Sequence, residues 1–231
     1  MLIGGFQKFS LIDYPGKICA IIFTQGCNFR CPYCYNVELV DPQKFGPPIP
    51  ETEIFSFLEK RIGQLDAVEI TGGEPTLQKD LLAFLEKIKE MGFLIKLDTN
   101  GSSPDVIREA LKKKIVDYLA MDVKAPLEKY RMVTASKIDL TKIKESIQLI
   151  MESGLDYEFR TTIVESLLTN EDIIKIASLI SGAKLYVLQK FVRTKTLKKE
   201  FAKEKSKTTE ELEKLKHLIL QHKYVNRCIV R

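Results

Sequence analysis

Short apolar runs alternate with longer amphipathic stretches along the chain. Six runs rich in β-branched or aromatic residues and bounded by turn chemistry predict strands over Cys19–Thr24, Ala67–Thr71, Leu94–Asp98, Val116–Asp122, Tyr157–Ile163 and Leu185–Gln189. Between them, apolar positions at helical spacing predict helices over Glu51–Gln64, Lys79–Met91, Pro104–Lys114, Thr141–Ser153 and Asn170–Ile180. Helix signals punctuate these segments: Ser103-Pro104 opens one and Met91-Gly92 closes another. Repeated strand-then-helix units require parallel strands joined by right-handed crossovers. Six such units favour an α/β fold in the form of a partial (β/α)6 TIM-like barrel over a closed barrel or an open doubly wound sheet. After Gln189 the pattern changes: residues 193–207 are polar and lysine-rich, and Thr208-x-x-Glu211 has the form of a capping box that opens a last helix to about His222. The expected organisation is one domain, a barrel over residues 1–192 with a basic, helix-bearing C-terminal extension over 193–231.

Composition adds limits. A chain of 231 residues at 45% hydrophobic content suits a single core. The net charge of +5 is too small to argue for a nucleic-acid partner. It is unevenly spread, with thirteen Lys/Arg against five Asp/Glu from Lys190 onward. A solvated, partly mobile tail is the expected reading of that segment, with docking of an acidic partner as the alternative. The N-terminus lacks a basic stretch followed by an apolar core, and no apolar run approaches the ~18 residues of a membrane span. A soluble, cytoplasmic protein with no membrane partner is therefore expected. The only histidines, His217 and His222, are five apart, so on a helix they face apart and cannot readily share a metal. Most histidine-based catalysis is thereby excluded.

Three of the five cysteines, Cys27, Cys31 and Cys34, crowd into Gln25-Gly-Cys-Asn-Phe-Arg-Cys-Pro-Tyr-Cys-Tyr-Asn36. In a reduced compartment such spacing signals metal or redox chemistry, not disulfides. Cys19 lies in an apolar run and reads as a small core residue, and Cys228 lies in a terminal Cys-Ile-Val segment. Polar clusters also follow the later strands, at the end where α/β barrels carry their active sites. These are Thr71-Gly-Gly-Glu-Pro75, Asp98-Thr-Asn-Gly101, Asp122-Val-Lys124, Arg160 in the fifth strand and Gln189 ending the last. Thiolates spaced Cys-x3-Cys-x2-Cys are soft ligands suited to zinc or to an iron–sulfur cluster. A structural zinc would need a fourth Cys or His, which only Cys228 could bring through folding. Three thiolates on a four-iron cluster leave one iron open. Gly72 and Gly73 let the backbone approach a ligand, and Glu74 offers an acceptor to an ammonium, although a plain turn has the same composition. Asp98-Thr-Asn-Gly101 taken alone is an ordinary strand-to-helix loop.

The cysteine spacing, with the aromatic Tyr33 just before the last cysteine, resembles the signature of radical S-adenosylmethionine (SAM) enzymes, and Gly72-Gly-Glu-Pro75 is similar to that family's second motif. The resemblance runs from about Phe6 to Gln189. It implies a [4Fe–4S] cluster on Cys27, Cys31 and Cys34, with SAM chelating the open iron through its amino and carboxylate groups. By the same resemblance, Tyr33 contacts the adenine, and Gly72, Gly73, Glu74 and Pro75 receive the methionyl amino group. Asp98 and Asn100 sit in a loop facing SAM. Lys124 contacts the SAM carboxylate or a partner's backbone. Arg160, read as a strand-end residue, suits a fork onto that carboxylate, with a surface ion pair as the alternative, and Gln189 is a further candidate contact. Asp98, Thr99 and Asp122 would gather a monovalent cation, because neighbouring carboxylates repel unless a cation or proton lies between them.

Within the superfamily, residues 5–16, Thr24-Gln-Gly-Cys27 and Tyr157-Glu-Phe-Arg-Thr-Thr162 resemble the activating proteins of anaerobic ribonucleoside-triphosphate reductases, with pyruvate formate-lyase activators nearby. Tyr35 departs from the histidine often found after the third cysteine. The resemblance implies that flavodoxin or ferredoxin supplies one electron. SAM is then cleaved to a 5′-deoxyadenosyl radical, which takes a hydrogen atom from a glycine of the partner glycyl-radical enzyme. The alternatives are a small-molecule radical SAM enzyme such as 7-carboxy-7-deazaguanine synthase and, from another class, a zinc-stabilised RNA-binding module.

Overall fold

The computed structural model describes residues 1–231, which form two compact units. The first comprises residues 1–28, 36–99 and 103–119, and the second residues 29–35, 100–102 and 120–231.

The first unit contains β1 (Ile3–Ser10), β2 (Cys19–Thr24), the single turn α1 (Val37–Val40), α2 (Glu51–Glu59), β3 (Ala67–Gly72), α3 (Leu81–Glu90), β4 (Leu94–Thr99) and α4 (Pro104–Lys112). Its strands run in chain order, β1 antiparallel to β2 and the rest parallel. β1, which the apolar pattern did not predict, is half-exposed and carries Gly4 and Gly5. Parallel strands covered by helices read as nearly continuous apolar runs. Ile22, Val68, Ile70, Ile95 and Leu97 are accordingly buried, as are Ile54 and Leu58 of α2, Phe84, Leu85 and Ile88 of α3 and Ile107 of α4. The exception is a pair of charges: Glu69 and Lys96 face each other in register, and both are buried. α2 stops short of the predicted Gln64, since Leu58 and Arg61 carbonyls start successive turns through Gly63, whose φ of +76° favours glycine.

β5 (Tyr118–Asp122) contributes its last three residues to the second unit, followed by α5 (Leu127–Thr134), α6 (Leu140–Glu152), β6 (Asp156–Ile163), α7 (Asn170–Leu179), β7 (Tyr186–Lys190), α8 (Thr209–Gln221) and β8 (Cys228–Val230). The strand order again follows the chain, and β7 is parallel to both β6 and β8. β5 starts two residues later than predicted because the Asp117 carboxylate is engaged by the Ile95 N–H and by Lys89. The Thr208–Glu211 capping box opens α8 as its spacing predicted, and Thr169–Asp172 forms another at α7. The α/β class expected from the sequence is the one observed, with eight strands instead of six, β8 being too short to register as an apolar run. No helix is long and apolar enough to cross a membrane.

Candidate functional site

In the first unit, the chain leaving β2 is pinned against the end of β3. The Gly73 N–H donates to the Thr24 carbonyl (2.9 Å), the Glu74 N–H to the Gly26 carbonyl (2.8 Å), and the Gly26 N–H to the Leu39 carbonyl (2.7 Å). Cys27 follows directly on this anchored glycine. A Cβ on Gly73 would lie 2.1 Å from the Gly26 oxygen, and one on Gly72, at φ +115°, 2.4 Å from the Thr24 nitrogen. Glycine is thus required here by the meeting of two backbones of the same chain, a different reason from the ligand approach that the sequence suggested. Glu74 is buried, and its Oε1 accepts from the Thr76 N–H (3.1 Å), the Thr76 hydroxyl and the Thr99 hydroxyl (2.8 Å). Pro75, also buried, opens the short turn Pro75–Leu77.

Asp98 ends a buried polar row. Its Oδ2 accepts from the Thr71 hydroxyl (3.2 Å) and its Oδ1 from the Lys96 ammonium (2.7 Å), which also pairs with Glu69 at 3.0 Å. Glu69 Oε2 is buried without a hydrogen-bond partner. Burial and then the charge of Asp98, only partly offset by Lys96, push the Glu69 carboxyl up to about 9.

In the second unit, residues 29–35 form a tight loop. The Cys34 N–H donates to the Cys31 carbonyl (3.0 Å), the Arg30 N–H donates to the Thr134 carbonyl (2.9 Å), and Phe29 meets Tyr130 edge-on. Tyr35 stacks on Phe191 at 5.8 Å, and its hydroxyl accepts from the Val192 N–H (3.0 Å). Two more backbone bonds close over the loop, Leu197 N–H to the Cys34 carbonyl (3.1 Å) and Lys198 N–H to the Pro32 carbonyl (2.9 Å). Tyr33 is buried edge-on against Phe191, and its hydroxyl has no hydrogen-bond partner. The buried Cys31 thiol is pushed up to about 11 by burial, with the nearby Lys124 pulling the other way.

Asp122 organises the charges of this unit, pairing with Lys124 at 3.0 Å and with the Arg160 Nε at 2.9 Å. Burial alone would lower the Lys124 ammonium, but the charge of Asp122 holds it well above its ordinary range. Arg160 occupies the middle of β6, not a strand end, and its next neighbour is the buried Glu158, 3.9 Å away. Glu158 is itself clasped by both terminal nitrogens of Arg231 (2.8 and 3.0 Å).

The fold therefore groups the predicted residues into two sets. Cys27, Gly72, Gly73, Glu74, Pro75, Asp98 and Thr99 fall in the first unit, and Cys31, Tyr33, Cys34, Asp122, Lys124 and Arg160 in the second. Gln189 accepts instead from the Thr162 hydroxyl (3.4 Å), and the buried Asn100 side chain accepts from the Ser102 N–H (2.9 Å). The extension is not simply a solvated tail, since Phe191 and Thr196 are buried and residues 197 and 198 bind the cysteine loop. Sequence reading missed Phe191, Tyr35 and the Glu69–Lys96 pair. Only the pair left a signal, a charged residue flanked by aliphatics in each of two strands.

The donor set suits a cluster that wants three thiolates. None of the five cysteines is in a disulfide. Cys19 begins β2, about 16 Å of extended strand before Thr24, and Cys228 pairs with Tyr186, a similar distance along β7 from Phe191 and the loop it supports. Both histidines are exposed on or just after α8. None of these residues lies in the segment 27–34, and a structural zinc there would need a fourth Cys or His.

An α/β chain with a three-thiol loop after one strand and a Gly-Gly-Glu-Pro corner after the next fits a known class of enzyme. Residues 21–180 match the Radical SAM superfamily, and the chain belongs to that family. It is an enzyme of this superfamily, and membership implies a [4Fe–4S] cluster and SAM. Among curated relatives, the chain is 37% identical over 235 residues to a Methanocaldococcus jannaschii protein named "Putative glycyl-radical enzyme activating enzyme", covering 100% of this chain and 95% of that one. It is 28% identical to the 7-carboxy-7-deazaguanine synthase of Thermococcus kodakarensis, over 71% of this chain and 70% of that one. Among solved structures, Streptococcus suis SuiB bound to S-adenosylmethionine has the same fold at 15% identity, with a TM-score of 0.70 over 91% of this chain. The chain spans about half (49%) of the SuiB chain.

Proposed function

We propose that this protein is a radical SAM activase that generates a glycyl radical on a partner enzyme, with anaerobic ribonucleoside-triphosphate reductase as the partner the sequence favours. Cys27, Cys31 and Cys34 would hold the cluster. The Gly72–Pro75 corner would receive the methionyl amino group, Tyr33 the adenine, and Lys124 and Arg160, set by Asp122, the carboxylate of SAM. Asp98, Asn100 and Gln189 would line the same substrate, and a monovalent cation would sit near Asp98, Thr99 and Asp122. When bound, the cluster would supply the electron for cleaving SAM, chemistry that would end in removal of a hydrogen atom from a glycine of the partner. The chain's own groups bind, orient and exclude water. Little proton transfer is asked of them, in keeping with two exposed histidines.

The observation that supports this reading is the placement of Cys19 and Cys228 at the far ends of their strands, away from the segment 27–34, whose three thiols would leave one iron of a cluster open to SAM. The full-length likeness to the M. jannaschii protein favours an activase over a deazaguanine synthase, whose likeness stops at 71% of the chain. The test is anaerobic reconstitution with iron and sulfide, then reduction in the presence of SAM and assay for 5′-deoxyadenosine. Candidate reductases are then added while a glycyl radical is sought by paramagnetic resonance. Cleavage without a radical on any of them would leave the superfamily and remove the activase.

A further inference from the structure

Residues 191–206 form a closed strap. The Ser206 hydroxyl donates to the Phe191 carbonyl, so the ends of the segment meet. Between them the chain makes the short turn Lys199–Lys203 and places two N–H groups on the cysteine loop, one on the carbonyl of Cys34 itself. The inner side of the strap is thus spoken for by Phe191, Thr196 and the backbone. Its outer side is strongly basic: Arg193, Lys198, Lys199, Lys203 and Lys205 are exposed, and Glu200 and Glu204 are the only acids in the segment.

We propose that this strap is the docking surface for an acidic one-electron carrier protein of the flavodoxin or ferredoxin kind. The inference rests on the activase reading and adds to it where the reductant arrives. In the step it serves, the carrier loses one electron and the cluster held by the loop gains one, with no proton or bond exchanged. Redox encounters of this sort use small, polar, charge-matched interfaces with fast, salt-sensitive association, and a segment whose exposed side chains are mostly cations, with Val192 the one large exposed apolar residue, fits that class. An RNA site would call for aromatic faces on which bases stack, but Phe191 is turned inward beneath the loop's tyrosines and Phe201 is half-buried. Like charge massed beside the three-thiol loop also raises the local concentration of an anionic protein there.

The test uses the full chain with its cluster reconstituted, a purified acidic flavodoxin and, in parallel, a purified acidic ferredoxin. Binding is read by calorimetry over a salt series, and cluster reduction is read optically. Changing Arg193, Lys198, Lys199 and Lys203 together to Glu is expected to weaken carrier binding at low salt at least ~10-fold and to flatten its salt dependence. Reduction by dithionite, which needs no docking, should be unchanged. The same number of reversals at Lys112, Lys137, Lys142 and Lys144, all exposed elsewhere, should leave carrier binding within ~2-fold. The proposal is overturned if neither carrier binds, if the strap reversal changes binding no more than the control, or if the strap instead retains a short RNA more tightly than either carrier. Failure of dithionite-driven SAM cleavage in the wild-type chain would sink the activase reading and leave the carrier titration to stand or fall separately.

Discussion

Glu69 offers the sharpest test of the physical argument. Two carboxylates and one ammonium share a buried site, with Lys96 2.7 Å from Asp98 and 3.0 Å from Glu69. One proton is needed to balance the charge, and it belongs on Glu69, whose Oε2 lacks any partner. A carboxyl raised from 4.5 to about 9 on folding contributes its full stability below pH 4.5 and loses it as pH climbs toward 9. The slope is about 1.4 kcal/mol per pH unit, so between pH 5 and 8 the wild type should lose up to about 4 kcal/mol through this group alone. Glu69→Gln keeps the shape and has no proton to give up. Urea unfolding of both proteins under reducing conditions, followed by circular dichroism, should show the variant gaining on the wild type steadily from pH 5 to pH 8. Other titrating groups are common to both and cancel in the difference. A gap independent of pH, or one that shrinks as pH rises, would refute the assignment. Lys96→Met provides the converse: at pH 8 it strands buried negative charge and should cost about 3–5 kcal/mol, and less at pH 5, where the carboxylates can take up protons.

Three further outcomes follow from the site. Gly73→Ala forces a Cβ against the Gly26 carbonyl and should destabilise the chain by about 1–3 kcal/mol and weaken SAM in a calorimetric titration, whereas Gly46→Ala, with open space at its Cβ, should change neither. Cys31→Ala should abolish 5′-deoxyadenosine formation by the reconstituted protein; undiminished release would show that Cys31 is not a ligand. Tyr35→Phe removes the acceptor for the Val192 N–H and should cost about 1 kcal/mol, with faster amide hydrogen exchange at Val192, Leu197 and Lys198. Unaltered exchange at those amides would mean that Tyr35 does not hold the strap.

Much of this is legible in the sequence. The six apolar runs became β2 to β7 because parallel strands between helix layers are apolar on both faces, so composition alone marks them. The cysteine spacing and Gly72-Gly73-Glu74-Pro75 were visible because both are local in sequence. What escaped was long-range or weakly patterned. Tyr35 meets Phe191 across more than 150 residues, and no local signal announces that pairing. β1 is half-exposed, and α5 has a short, mixed pattern between Pro126 and Ala135, whose φ of +45° ends it. The extension read as solvated because its lysines dominate the composition, yet its contacts with the loop are made by backbone N–H groups, to which composition is blind.

The charged pair within β3 and β4 was the one departure from local consistency that the sequence did display. Parallel strands in an α/β sheet normally give both faces to aliphatics, and burying ions there sacrifices several kcal/mol relative to an apolar replacement. Glu69, Thr71, Lys96 and Asp98 share one face by the two-residue period of their strands, and hydrogen bonds link them from the Glu69–Lys96 pair out to Asp98 and Thr71 at the strand ends. Thr71 directly precedes Gly72, and Asp98 directly precedes Thr99, which holds the Glu74 carboxylate. The polar row thus fixes the two strand ends from which the Gly72–Pro75 corner is built. Rules of local consistency tend to be broken at functional sites, where a network of this kind serves position at the expense of stability. On that argument Lys96→Met should disturb SAM binding even at a pH and temperature where the chain stays folded, while an equally destabilising cavity in α3, such as Ile88→Ala, should not.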